Sequence, residues 1–403
     1  MSGNVKIIAM AGIYAAVMVS GGCGLTGEPR ARLGSYPASA MGAKFLDKED
    51  LGSHSYGSGL FENNGLVYTS RGGHIDIAHL RIAADNVRSL YGKTRAHLLN
   101  NEREIRFKLN VEPSEYVAEI GYPAYWEKLT QKEREEIAHR VSLELSQHFT
   151  YTMTTWHEVL TWFGFKCLFF LPEKSSAFSW EDIYSNLLGT RLGAAAIEDG
   201  EHGFDEAMTI LLKKELEKLQ IQSSGTARAA ARKMKQKYFD GSSYLDVTRS
   251  MDIGLYDGEV TPVLAYGETA NAEPQSYPVP SLDKFDKYGF TMNLSIRPRE
   301  FESGRILKLV YPGSAGRLAP ARDTLRWAGG GKSIYPRKHL AIVMYYIEKE
   351  AIKEGFFVTP NGGWGYRTLQ AAWGVGQSAP SVALAPEEML RRVPPKNVKV
   401  PGL

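Results

Sequence analysis

The sequence predicts an α+β protein: a mainly helical N-terminal half with a short hairpin, then a part that mixes strands and helices. Three observations carry this expectation. Apolar residues recur at helical spacing in long runs between residues 75 and 240. Strict alternation marks a few short strands. After Asp240 the style shifts to proline-rich and alternating segments. The 403 residues are 43% hydrophobic and 23% charged, so the chain can bury a sizeable core. Its 48 basic and 45 acidic residues are too evenly balanced to advertise a nucleic-acid surface, so no nucleic-acid partner is expected.

The first element is an address. Lys6 precedes an apolar run from Ile7 to Val19, then small residues, then Cys23. A charged start, a short apolar run and a small-residue cut site describe a secretory signal, and the run is too short for a membrane span. The "SGGC" ending resembles a bacterial lipoprotein signal. That resemblance implies a signal peptide over 1–22, lipidation of Cys23, and a bacterial envelope protein held on the lipid bilayer through acylated Cys23. Cys167 is then the one other cysteine, and no disulfide is expected. Residues 23–65, rich in Gly, Ser, Pro and Ala, read as tether and surface loops.

Residues 66–240 read as a mainly helical domain. "LVYTS" (Leu66–Ser70) is a short strand. Ile77, Leu80, Ala84, Val87 and Tyr91 give a helix from about Ile75 to Leu99 one apolar face. "EIRFKLNV" alternates, with Ile105, Phe107, Leu109 and Val111 facing in, and "EYVAEIGY" pairs with it. Thr130 and Glu133 form a capping box for a long helix that Gly164 ends. Ser179 and Asp182 start another, running toward Glu198. "DEAMTILLKKELEKLQ" and "TARAAARKMKQKYF" form a helical pair joined by "SSG". The second is basic, which reads as a solvated face before it reads as a lipid contact. Residues 241–403 form an α+β C-terminal region: strands in "FTMNLSIRP" and "RILKLVYP", and a helix opened by Pro336.

Several familiar motifs fail. "GGGKS" (Gly329–Ser333) has Arg326 where a P-loop needs its first glycine. "HEVLT" has Thr161 where a zinc-protease helix needs its second histidine. No G-x-S-x-G occurs, and Cys167 sits in apolar "FKCLFF", a core setting.

Three segments combine ionisable residues with aromatic or glycine context. Asp76 and His79, three apart, point the same way on a helix. His157 and Glu158 are adjacent, so both enter one site only if protein packs on several sides. Glu181, Asp182 and Asn186 open a helix whose dipole favours carboxylates. Glu136 and His139 sit five turns before His157 and read as a surface pair. Asp76, His79, His157 and Glu158 are the candidate catalytic residues. The same four are the candidate ligands for a divalent metal, with Arg81, Glu181, Asp182 and Asn186 behind them.

"GGHIDIAHLR" (72–81), "WHEVLTWFG" (156–164) and "SAFSWEDIYSNLLG" (176–189), in that order, resemble the bacterial family domain of unknown function 4056. The resemblance runs from about Tyr68 toward the C-terminal region. It carries onto Asp76, His79, Arg81, His157, Glu158, Glu181, Asp182 and Asn186, while His74 departs from the family's large apolar residue. It brings no established activity. Two readings stand: a non-catalytic binding or structural lipoprotein with a buried His–carboxylate network, which we favour, or a hydrolase using a metal or acid–base pair on an envelope polymer or lipid.

Overall fold

Two helices that touch backbone to backbone organise the chain. Helix α1 (Ile77–Leu99) packs against α2 (Gln131–Trp162) and α3 (Asp182–Glu198). Gly189 and Gly193 of α3 lie on α1. A Cβ added at Gly189 would stand 2.8 Å from Leu80 Cα, and one at Gly193 2.8 Å from Ala84 Cα. Leu80 thus faces Gly189 and Ala84 faces Gly193, so α1 and α3 run parallel and their N-termini lie side by side. The computed structural model describes residues 29–30, 32, 43–57, 62–165, 176–238, 249–255, 257–265, 272–300, 302–312 and 332–353. The expected signal peptide, Cys23 and Cys167 lie outside the described residues. No helix among the described residues is long and apolar enough to cross a membrane.

The protein is α+β. A hairpin of β1 (Leu66–Thr69) and β2 (Gly73–Asp76) leads directly into α1, with Leu66 opposite Asp76. The expected helix start at Ile75 is two residues early. Asp76 stays extended and caps the helix, its Oδ1 accepting from the Ala78 (2.7 Å) and His79 (3.2 Å) amides.

A three-stranded antiparallel sheet has the order β3 (Glu104–Phe107), β4 (Glu115–Gly121), β7 (Thr291–Arg297). The strand read in "FTMNLSIRP" therefore completes a sheet begun 180 residues earlier, with Glu115 opposite Arg297 and Gly121 opposite Thr291. Phe107 stacks on Phe149 of α2 (4.5 Å between centroids), which fixes sheet on helix. Strand β3 ends at Phe107, earlier than its alternation suggests. Beyond it the chain turns, so Val111 is exposed and Glu112 is buried, the reverse of the expected parity.

The long helix α2 opens with the expected Thr130–Glu133 capping box, and Gly164 follows its end with φ +102°. Helices α4 (Phe204–Lys218) and α5 (Ser224–Tyr238) form the expected pair, followed by β5 (Glu259–Val260), β6 (Tyr277–Pro278) and short α6 (Asp283–Lys287). "RILKLVYP" is helix α7 (Ser303–Val310) and not a strand: Ser303, Ile306 and Leu307 fall on one helical face and are buried together. Helix α8 (Pro336–Lys353) begins at the expected proline.

Much of the expected tether lies on the body. Leu46, Leu51 and His54 are buried, and Arg32 is bidentate on Glu62 (Nε to Oε2 3.0 Å, Nη2 to Oε1 2.9 Å) and also reaches Asp85 of α1 (2.5 Å).

The α1–α3 contact yields a stability prediction. Gly189→Ala drives a methyl into Leu80 backbone, which cannot yield without parting the helices. It should cost about 1–3 kcal/mol, read as a lower urea midpoint. Gly200→Ala, where a Cβ meets nothing within 4 Å, should stay within about 0.5 kcal/mol.

Candidate metal centre

The parallel α1 and α3 bring two helix N-termini, each carrying a carboxylate, to one place. Asp76 caps α1 and Asp182 opens α3. Ser185 stitches the two: its hydroxyl donates to the Glu181 carbonyl (2.6 Å) and accepts from the Asp76 amide (2.8 Å). His79, one turn into α1, lies between them. Its Nδ1 is 2.9 Å from Asp76 Oδ2 and 3.6 Å from Asp182 Oδ1. One donor atom from each of Asp76, His79 and Asp182 falls within a 4.8 Å group. Asp76 and Asp182 are buried, while a quarter of the His79 side chain reaches solvent.

Two further carboxylates stand around this group. Glu158, near the end of α2, accepts the Phe178 amide at Oε2 (2.7 Å). Glu181 accepts the Ser179 hydroxyl (2.6 Å). Both are buried, and both bear electrostatically on Asp182. The loop that delivers them is strained: Phe178 holds φ +57°, a conformation that non-glycine residues avoid. Asn186, one turn on from Asp182 along α3, has a buried Oδ1 with no hydrogen-bond partner among the described residues.

The surplus negative charge shows in the titration behaviour. Burial opposes a charged His79, but Asp182, Asp76 and Glu158 outweigh it and push the imidazole up to about 10. Burial pushes the Asp182 carboxyl well above its ordinary range. The Glu158, Glu181 and Asp76 carboxylates push it further, against the opposing pull of His79. Burial also works against a charged Asp76, yet His79 and the two helix amides bring it out below its ordinary value.

The expected residues therefore divide. Asp76, His79 and Asp182 meet at one point, with Glu158 and Glu181 bearing on Asp182, so Asp182 takes a ligand position expected of His157. His157 faces elsewhere. Its Nδ1 donates to Glu112 Oε1 (2.8 Å), and Glu112 also accepts the Tyr116 hydroxyl (3.2 Å). Burial pushes the Glu112 carboxyl up against the opposing pull of His157. His157 and Glu158 are adjacent on α2 and so serve two different neighbourhoods. Arg81 also points away from the cluster, donating to the Leu51 (2.9 Å) and Asn63 (3.1 Å) carbonyls. Glu136 pairs with Arg140, and His139 meets the Tyr91 hydroxyl (2.7 Å). Glu112 has no sequence signal, because it sits in a turn where alternation has stopped.

His74, the departure from the family pattern, is satisfied inside the core. The Trp180 indole donates to its Nδ1 (3.2 Å), so Nε2 carries the proton and donates to the Ala227 carbonyl (2.9 Å).

The fold and site define an α+β protein that gathers buried carboxylates around one histidine at paired helix N-termini. The chain belongs to a family described as protein of unknown function (DUF4056), whose model matches residues 34–247. The match covers every candidate residue of the cluster and stops short of most of the C-terminal region. No curated protein and no solved structure matches the chain.

Burial holds His74 neutral, its pKa lowered to about 4. Below pH 6.5 the unfolded chain takes up a proton there that the folded chain refuses, so stability falls as pH drops from 6.5 to 4. The loss from this group is ~3 kcal/mol. Urea unfolding at pH 7 and pH 4.5 should show a smaller drop for His74→Gln than for the wild type.

Proposed function

We propose that the protein binds one divalent cation at Asp76, His79 and Asp182. In this reading the cation ties α1, α3 and the end of α2 together in a non-catalytic lipoprotein of the bacterial envelope. The observation that carries the reading is the cluster itself: buried Asp76 and Asp182 flank the His79 imidazole with three donor atoms inside 4.8 Å, and Glu158 bears on both His79 and Asp182. Donors sharing an ion through ~2.1 Å bonds lie no more than about 4.2 Å apart, so shifts of a few tenths of an ångström suffice. Carboxylates with one imidazole suit manganese, iron or zinc better than thiolate-seeking ions. The Asn186 carbonyl oxygen offers a further neutral donor on the same helix face.

The envelope part of the reading rests on the signal-like N-terminus and Cys23. A second reading, metal-assisted hydrolysis of an envelope polymer or lipid, draws on His79. Its exposed edge gives water a route to the ion, and a bound water would become a nucleophile near neutral pH.

Elemental analysis tests the reading. Wild-type protein purified without chelator should carry about one divalent ion per chain. His79→Ala and Asp182→Asn should lose it, and His157→Ala should keep it. Wild type that carries none and takes up neither manganese nor zinc on dialysis would sink the idea.

Cation affinity should also rise with pH. The ion displaces the proton that His79 holds in its absence, because that imidazole is raised to about 10. Calorimetric titration from pH 6 to 8 should show affinity climbing up to about tenfold per pH unit for each proton released. A flat profile would contradict displacement.

A further inference from the structure

Helix α5 concentrates the chain's positive charge. Its 15 residues hold Arg228, Arg232, Lys233, Lys235 and Lys237 and no acidic residue. The remaining 43 basic and 45 acidic residues leave the rest of the chain at −2. One face of α5 is apolar and spent: Ala227, Ala230, Ala231 and Met234 are buried against Leu66, Tyr68 and Trp180. Arg228, Arg232 and Lys233 are exposed on the other side.

The N-terminal segment runs beneath this helix. Asp47 caps it, accepting the Ser224 amide (2.7 Å) and hydroxyl (2.8 Å). The Arg228 guanidinium lies over the Phe45 ring, 5.8 Å from its centroid. Further up the chain, Arg30 and Arg32 are clamped to Glu62, and Arg32 also to Asp85. Only six residues separate Cys23 from Arg30, a reach of about 25 Å at most. A chain anchored at Cys23 therefore holds its body against the headgroups and cannot stand off on a long tether.

We propose that the basic face of α5 is a second membrane contact that docks on anionic phospholipid headgroups. Choosing a bilayer as the occupant rests on the envelope reading above; the charge asymmetry does not. A basic helix beside an anionic surface gains roughly a fivefold increase in partitioning for each Arg or Lys near the headgroups. The acyl chains on Cys23 would supply the anchor, and the basic face would set how the body lies on the headgroups.

Vesicle flotation of the mature chain expected from the signal, residues 23–403 carrying Cys23→Ser, tests this without the acyl anchor or the apolar run Ile7–Val19. At about 0.1 M salt the protein should float with vesicles of phosphatidylcholine containing phosphatidylglycerol and stay behind with pure phosphatidylcholine. Raising salt to about 0.5 M should release it. The triple variant Arg228→Gln/Arg232→Gln/Lys233→Gln should lose at least tenfold in bound fraction. Lys213→Gln/Lys214→Gln, on the exposed side of α4, should bind as the parent does. Matching circular dichroism spectra guard against a folding effect. Equal flotation with neutral vesicles, an unchanged triple variant, or retention on a DNA duplex without vesicle binding would each overturn the proposal. Palmitate labelling of the wild type in cells reads the Cys23 anchor separately, so the failure of one is not mistaken for the failure of the other.

Discussion

The close approach of α1 and α3 is the constraint on which the site depends. Gly189 and Gly193 let the α3 backbone lie on Leu80 and Ala84. With any larger residue the helices would separate, and Asp182 would move away from Asp76 and His79. Because the helices are parallel, both positive dipole ends point at the same place. One carboxylate at one helix N-terminus is favourable by about 0.3–1 kcal/mol. Two such ends placed together gather two carboxylates that then repel each other. His79 stands where that repulsion is greatest, 2.9 Å from one and 3.6 Å from the other. The helix geometry thus creates the charge imbalance, and the imbalance gives the site its chemistry.

Glu158 enters from a third helix, and a strained loop holds it in place. The loop 176–181 presents the Phe178 amide to Glu158 while its own carbonyl accepts the Ser250 amide (2.8 Å). Arg249 donates to the Ala177 carbonyl and lies over the Trp162 ring. A non-glycine residue at positive φ costs on the order of 1–3 kcal/mol, and it persists only where its surroundings fix it. Here the fixing partners come from α2 and from the chain just before β5. The strained residue ties the far segment to the cluster, so its cost is met by contacts that also position Glu158.

How much of this was legible in the sequence depended on whether a residue sat in a periodic element. Asp76, His79, Glu181, Asp182 and Asn186 stand at helix starts, and Glu158 sits on a long helix, so their pattern could be read. Their convergence could not, because it depends on two glycines that look unremarkable within "NLLGTRLG". His157 and Glu158 could share a site only if protein packed on several sides of α2, and the partner that His157 meets instead, Glu112, lies in a turn with no periodic signal. Glu112 and the Arg32–Glu62–Asp85–His54 network were missed because they lie in turns and in a Gly- and Ser-rich stretch that reads as loop. "RILKLVYP" misled for a different reason. Eight residues alternate loosely enough to fit a strand, but burial of Ser303, Ile306 and Leu307 follows the helical period.

The two buried polar networks on α1 differ in a way that bears on function. Around Asp85, Arg30 and Arg32 meet Glu62 and Asp85, and burial lowers the pKa of His54, which favours its neutral form. Those charges close on themselves, and such a network holds a segment in place without needing anything else. One to two turns away along the same helix, Asp76 and Asp182 face a single imidazole, and Glu158 bears on it electrostatically. Burial and the neighbouring carboxylates raise the Asp182 carboxyl against the pull of His79, so a cation placed there would relieve the crowding. With its pKa pushed up to about 10, His79 is held as imidazolium and cannot act as a base. A divalent cation satisfies the same charges with two positive units at one point and leaves the imidazole neutral. On the same helix, then, one network pairs arginines with carboxylates and the other sets two carboxylates against one imidazole.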